Sequence, residues 1–155
     1  MRQPDLPTDG GCRCGTVRFR ITEAPMITAV CHCHGCQRMT ASAYSTTVTI
    51  PGNGFAVTAG ETVRGGTREG WQQHQHCPAC HSWLFTSFAL DEMPFVNVRA
   101  TMLDDAAWFA PFIESQTVEA LPWALVAAPH SFPRFPDEAD YPRLMAAYAE
   151  AATSA

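Results

Sequence analysis

The sequence predicts a mainly β domain of antiparallel strands with short helices, pinned by metal. Three observations predict it: runs with apolar residues at every second position, glycine and proline clusters between those runs, and seven cysteines gathered into three short clusters. At 155 residues, with 46% hydrophobic and 16% charged positions, the chain has the length and make-up of a single core.

Taken in order, Thr16 to Thr22 puts Val17, Phe19 and Ile21 on one face and Arg18 and Arg20 on the other, the period of a half-buried strand. Ser45 to Ile50, Phe55 to Thr58, Trp71 to His76, Trp83 to Phe88 and Phe95 to Arg99 are the further expected strands. Pro51-Gly52-Asn53-Gly54, Gly65-Gly66 and Pro94 punctuate them, because glycine and proline favour turns over ladders. A short helix is expected over His34 to Thr40. A second is expected near the C-terminus, where Tyr141, Leu144, Met145 and Tyr148 recur at helical spacing behind Asp140 as a possible cap. The proline-rich stretch Ser131 to Pro142 reads as an extended strap. The division is a zinc domain over residues 8–136 and a helical tail over residues 137–155.

Charge and composition exclude several functions. The net charge is −5 and all ten basic residues are arginine, so no basic face for phosphates is expected, and nucleic acid is not an expected partner. With no lysine in the chain, Schiff-base chemistry through a lysine is excluded. The longest apolar stretch, Leu121 to Ala128, contains Pro122 and falls far short of the ~20 residues of a bilayer span. Residues 1–11 carry Asp5, Asp9 and two prolines with no apolar core of a secretory leader, so the expected location is cytoplasmic.

An odd cysteine count without a leader fits a disulfide framework poorly and fits metal ligation well. The clusters are Cys12-x-Cys14, Cys31-x-Cys33-x-x-Cys36 and Cys77-x-x-Cys80. Structural zinc takes four protein ligands and catalytic zinc takes three, and seven cysteines divide as four plus three. The two pairs, Cys12 with Cys14 and Cys77 with Cys80, would staple an early hairpin to a late strand. The trio Cys31, Cys33 and Cys36 can close around one ion locally, with His32, His34, His74 and His76 as candidates for its fourth position. The plainer alternatives are two inert zinc sites, or one zinc and three buried free thiols.

The ordered set Gly10-Gly11-Cys12-Arg13-Cys14-Gly15-Thr16-Val17-Arg18-Phe19, Cys31-His32-Cys33-His34-Gly35-Cys36-Gln37-Arg38 and Cys77-Pro78-Ala79-Cys80 resembles the glutathione-dependent formaldehyde-activating enzyme family, which also includes centromere protein V. Ala41 to Tyr44, Pro51 to Phe55, Val98-Arg99, Leu103 to Asp105 and Leu121-Pro122-Trp123 match as well, so the resemblance spans roughly residues 8 to 136. It implies an Mss-four-like β-tent with two zinc ions. Cys12, Cys14, Cys77 and Cys80 match the structural ligands, and Cys31, Cys33 and Cys36 the second site. The family commonly has glycine after its last CxxC. This chain has His81, for which a strained left-handed turn is expected rather than a ligand.

The resemblance implies addition of the glutathione thiol to formaldehyde, a carbon–sulfur lyase reaction run in reverse. A thiol of pKa near ~8.5 is mostly protonated at neutral pH, and ligation to metal would deprotonate it. Three cysteine thiolates leave a zinc site at about −1, poor for polarising carbonyls but able to hold a nucleophilic thiolate. Cys31, Cys33 and Cys36 are therefore the candidate catalytic residues. Arginine forks suit the two carboxylates of glutathione, which makes Arg38 the first substrate-binding candidate, with Arg13 and Arg64 behind it. Gln37 and Ser42 are close enough in sequence to line the same pocket or to brace the short helix. Trp123 is expected to be a core anchor. A related enzyme acting on another aldehyde or thiol, and a non-catalytic zinc-stabilised binding or scaffold module, are the competing functions.

Overall fold

The computed structural model describes residues 1–67, 70–88 and 95–153; Pro94 and the last two residues of the expected tail lie outside these. The strand β1 (Thr8–Gly11) pairs antiparallel with β2 (Arg18–Ile21), which buries Phe19 and Ile21 and turns Arg20 to solvent, as the period-two pattern predicts. The chain then enters β3 (Ile27–Cys31) and α1 (His34–Thr40), the latter with the bounds read from the sequence. Next come β4 (Ser45–Pro51), a 3₁₀ turn at Gly52–Gly54, β5 (Phe55–Ala59), β6 (Val63–Gly65), β7 (Gln72–His76), β8 (Trp83–Phe88) and β9 (Phe95–Val98). The short strands β10 (Ile113–Ser115) and β11 (His130–Ser131) and the helix α2 (Tyr141–Thr153) complete the fold.

The strands form a three-stranded sheet ordered β1-β2-β5 and an eight-stranded sheet ordered β11-β10-β3-β4-β9-β8-β7-β6. Pairing is antiparallel except at β10, which runs parallel to both β3 and β11. The sequence pattern does not anticipate that exception. Parallel neighbours need a long connection between them, and the stretch from β3 to β10 supplies one. Gly10 forms an isolated bridge with Leu103, and a Cβ there would lie 2.5 Å from the carbonyl oxygen of Met102, so only glycine allows that approach.

Two apolar clusters hold the sheets. The larger packs Val17, Phe19 and Ile21 of the small sheet against Val48, Ile50, Leu84, Val96 and Val98 of the large one, with Cys12 and Cys77 in the same cluster. The smaller joins Ile27, Phe112 and Ile113 to Leu144 and Tyr148 on one face of α2. Leu144 is wholly buried, worth ~1.5–3 kcal/mol over an exposed position, so α2 is held by packing. Asp140 sits in a 3₁₀ turn ahead of α2, its carboxylate 3.0 Å from Nη2 of Arg143. Among the described residues no helix is long and apolar enough to cross a membrane.

Candidate functional site

Cys12 and Cys14 lie in the turn between β1 and β2, and Cys77 and Cys80 in the turn between β7 and β8, so two hairpin ends from different sheets meet at one point. Their four sulfurs lie within 4.8 Å of one another, with Sγ separations of 3.4 Å between Cys12 and Cys14 and 3.7 Å between Cys14 and Cys77. Four sulfurs set tetrahedrally at about 2.3 Å from zinc lie about 3.8 Å apart, so the cage has the dimensions of a zinc–tetrathiolate site.

The surrounding backbone supports thiolates. The Val17 N–H donates to Cys12 Sγ at 3.2 Å, and the Ser82 hydroxyl and backbone hold Cys80 down to about 5. His81 adopts φ 59°, the left-handed turn expected of it, and its N–H donates to the Cys77 carbonyl at 3.0 Å.

The second cluster is built locally. Cys31 ends β3, Cys33 caps α1, and Cys36 follows in its first turn, its N–H donating to Cys33 Sγ at 3.3 Å. The three sulfurs also lie within 4.8 Å of one another. Hydrogen bonding from Cys31 and Cys36 holds the Cys33 thiol well below its ordinary range, and contact with Cys33 and Cys36 pushes Cys31 above it. Such a three-sulfur set suits a soft or borderline metal such as zinc.

Among the described residues no histidine or carboxylate joins the trio, and each candidate histidine is engaged elsewhere. His32 turns its ring into the core, with Nε2 2.9 Å from Glu114. His34 pairs with Glu119 at 3.2 Å, His74 Nδ1 lies 2.9 Å from the Thr86 hydroxyl, and His76 Nδ1 lies 3.3 Å from the His74 carbonyl.

The expected substrate residues Arg38, Gln37 and Ser42 do come together, around a shallow hollow of about 400 Å³ with Leu121 and Trp123. Arg38 is exposed and makes no ion pair among the described residues. The Gln37 amide nitrogen is committed to the backbone, donating to the carbonyls of His32 at 2.6 Å and Glu119 at 2.9 Å. Trp123 is 78% exposed, which corrects the expectation of a core anchor: its segment of the chain forms neither helix nor strand and leaves the ring in solvent. Arg64 donates to the Gly70 carbonyl and does not line this hollow.

A larger cleft of about 540 Å³ opens between the two cysteine clusters, with Arg13, Ser42, Tyr44, Cys80 and Arg99 on its walls. The sequence pattern misses Arg99. Alternation along β9 buries Val96 and Val98 and assigns Arg99 to solvent, yet it is 6% exposed, lying 4.2 Å over the Trp83 ring. Burial pushes its pKa down to about 10, and ionisation of Cys36 or Cys31 opposes that shift. The signal in the sequence is that Val98-Arg99 is among the segments that match the family.

The family profile described as glutathione-dependent formaldehyde-activating enzyme matches residues 7–118, a stretch that contains both cysteine clusters. No curated protein matches the sequence. Among solved structures, the crystal structure of a Rhodobacter sphaeroides protein is similar with a TM-score of 0.50 at 17% identity, covering 80% of this chain and 98% of that one. At that identity the likeness is one of fold.

Proposed function

The chain belongs to the glutathione-dependent formaldehyde-activating enzyme family, and from that premise we propose that it joins glutathione, or a related thiol, to formaldehyde or another small aldehyde. In this reading it carries two zinc ions, one in the Cys12, Cys14, Cys77 and Cys80 cage and one at Cys31, Cys33 and Cys36. One observation carries the reading: the second cluster brings three sulfurs together and, among the described residues, no fourth ligand joins them. Three protein ligands and an open position are the pattern of a catalytic rather than a structural site.

Zinc held by the trio would supply a lowered thiol pKa, keeping the incoming sulfur as thiolate at neutral pH. In the reaction a carbon–sulfur bond forms at the carbonyl carbon, the carbon–oxygen π pair moves to oxygen, and that oxygen takes up the proton the thiol gave. The chain's own residues bind and orient. Arg38 and Ser42 are proposed to meet the substrate, and Gln37, through its two backbone bonds, fixes the helix that carries Arg38. The cytoplasm is the proposed location, where the seven free cysteines stay reduced.

The test is the visible spectrum of cobalt-substituted protein with and without glutathione, followed by an aldehyde-consumption assay. A change confined to about half of the metal, with turnover, supports the proposal. Two bound metals with no response to glutathione overturn it in favour of a zinc-stabilised scaffold. Arg38→Ala is expected to weaken glutathione binding while leaving zinc content intact, and unchanged binding removes Arg38 from the proposal.

A further inference from the structure

The chain has a net charge of −5, yet no wall of the larger cleft carries a carboxylate. Its polar lining is Arg13, Arg99 and His81 together with hydroxyl groups, among them Ser42, Tyr44 and Thr46. Arg99 is unusual in this wall. Its guanidinium is buried, stacked on Trp83, and satisfied at Nη2 by the Asn97 carbonyl at 3.1 Å, while Nε is buried without a partner. No carboxylate pairs with it among the described residues. A buried guanidinium with an unpartnered donor is costly, and an anion entering the cleft would relieve that cost.

Arg13 lines the same cleft. It is exposed and lies in the Cys12 to Cys14 turn, so the cage that holds that turn also holds the backbone from which the second guanidinium extends. The cleft adjoins the trio as well: Thr40, on its wall, donates its hydroxyl to the Cys36 carbonyl at 2.8 Å. A carboxylate held here meets two guanidinium groups in a recess beside the four-cysteine cage, whose Cys80 sulfur shares the wall.

We propose that this cleft is a carboxylate-binding site, with Arg13 and Arg99 as its cationic partners, and that it receives a carboxylate end of the thiol substrate. The second half rests on the function proposed above; the first stands without it. S-Methylglutathione separates them, because it keeps both carboxylates and cannot present a thiolate to metal.

Calorimetric titration of the zinc-loaded chain with S-methylglutathione is the test. Binding to wild type, weakened on the order of 10-fold by Arg13→Ala and again by Arg99→Lys, is the expected result, since each loses a charge-assisted or forked contact. Arg13 is exposed, so its variant keeps the fold, and lysine at 99 keeps the buried charge. No binding to wild type, or wild-type affinity in both folded variants, overturns the site. If glutathione perturbs the cobalt spectrum while both variants bind the thioether normally, the cleft fails and the thiol chemistry stands. If the thioether binds through Arg13 and Arg99 while the cobalt spectrum ignores glutathione, the carboxylate site stands and the thiol chemistry fails.

Discussion

His32 Nε2 and Glu114 Oε1 lie 2.9 Å apart with both side chains withdrawn from solvent. His32 stands between two cysteines of the trio, and Glu114 lies on β10, the strand that runs parallel to β3. Glu114 also accepts from the Val126 N–H at 2.8 Å and the Ser131 hydroxyl at 3.3 Å. One buried carboxylate therefore ties the loop bearing the candidate metal ligands to the C-terminal third of the chain.

Glu114→Ala removes the acceptor of three donors at once. The expected cost is about 3 kcal/mol or more, because buried donors left without partners forfeit their full desolvation. Urea unfolding checks it: the midpoint should drop sharply and the metal content of the trio should fall. A wild-type midpoint would show the pair to be incidental.

Cys77→Ser and Cys33→Ser should differ in kind. Cys77 is wholly buried in the larger core, and its cage joins two sheets, so losing that metal site removes folding free energy directly. Cys33→Ser opens a site closed within one loop and helix, and should yield a folded chain with one zinc fewer. Metal analysis beside circular dichroism decides; a folded Cys77→Ser protein holding both metals would reassign the ligands.

His81→Gly should stabilise the chain. A side chain at φ 59° costs about 1 kcal/mol that glycine avoids. At this chain length that corresponds to a rise in Tm of roughly 2–4 °C. An unchanged or lower Tm would mean that the imidazole makes compensating contacts in the cleft.

The Arg18 guanidinium beside Asp104 holds its carboxyl below the usual carboxylate range. A folded-state pKa below the unfolded one contributes stability that is present above pH ~3.8 and is lost as pH falls through the folded value. Asp104 is half exposed, so the contribution is under about 1 kcal/mol. Asp104→Asn should lower the neutral-pH urea midpoint slightly. The gap to wild type should close in acid and narrow in high salt; acid release of metal affects both proteins alike and drops out of the difference. A gap that does not narrow as pH falls would place its origin outside the ion pair.

Much of this molecule is local, and local features are legible in a sequence. The three cysteine clusters carry their chemistry in residue type and spacing, and α1 is a short local element capped by Cys33 of the second cluster. Strand β2 follows from alternation, since Phe19 and Ile21 face the core and Arg20 faces water. Strand β1, Thr-Asp-Gly-Gly, has no apolar alternation to announce it and exists because β2 supplies its partner. Strand β10 is buried at all three positions, so it has no polar face from which a period could be read.

What the sequence by itself determined is therefore the mainly β class, the four-plus-three division of the cysteines and the family to which they belong. What only the tertiary structure decided is which distant groups face one another: the parallel placement of β10 on β3, the exposure of Trp123, and the burial of Arg99 over Trp83 between the two cysteine clusters. The physical reason is one of range. Ligand spacing and side-chain alternation act within a few residues, whereas the neighbours of a side chain at the end of a strand are set by how two sheets pack, and nothing in its own segment encodes that.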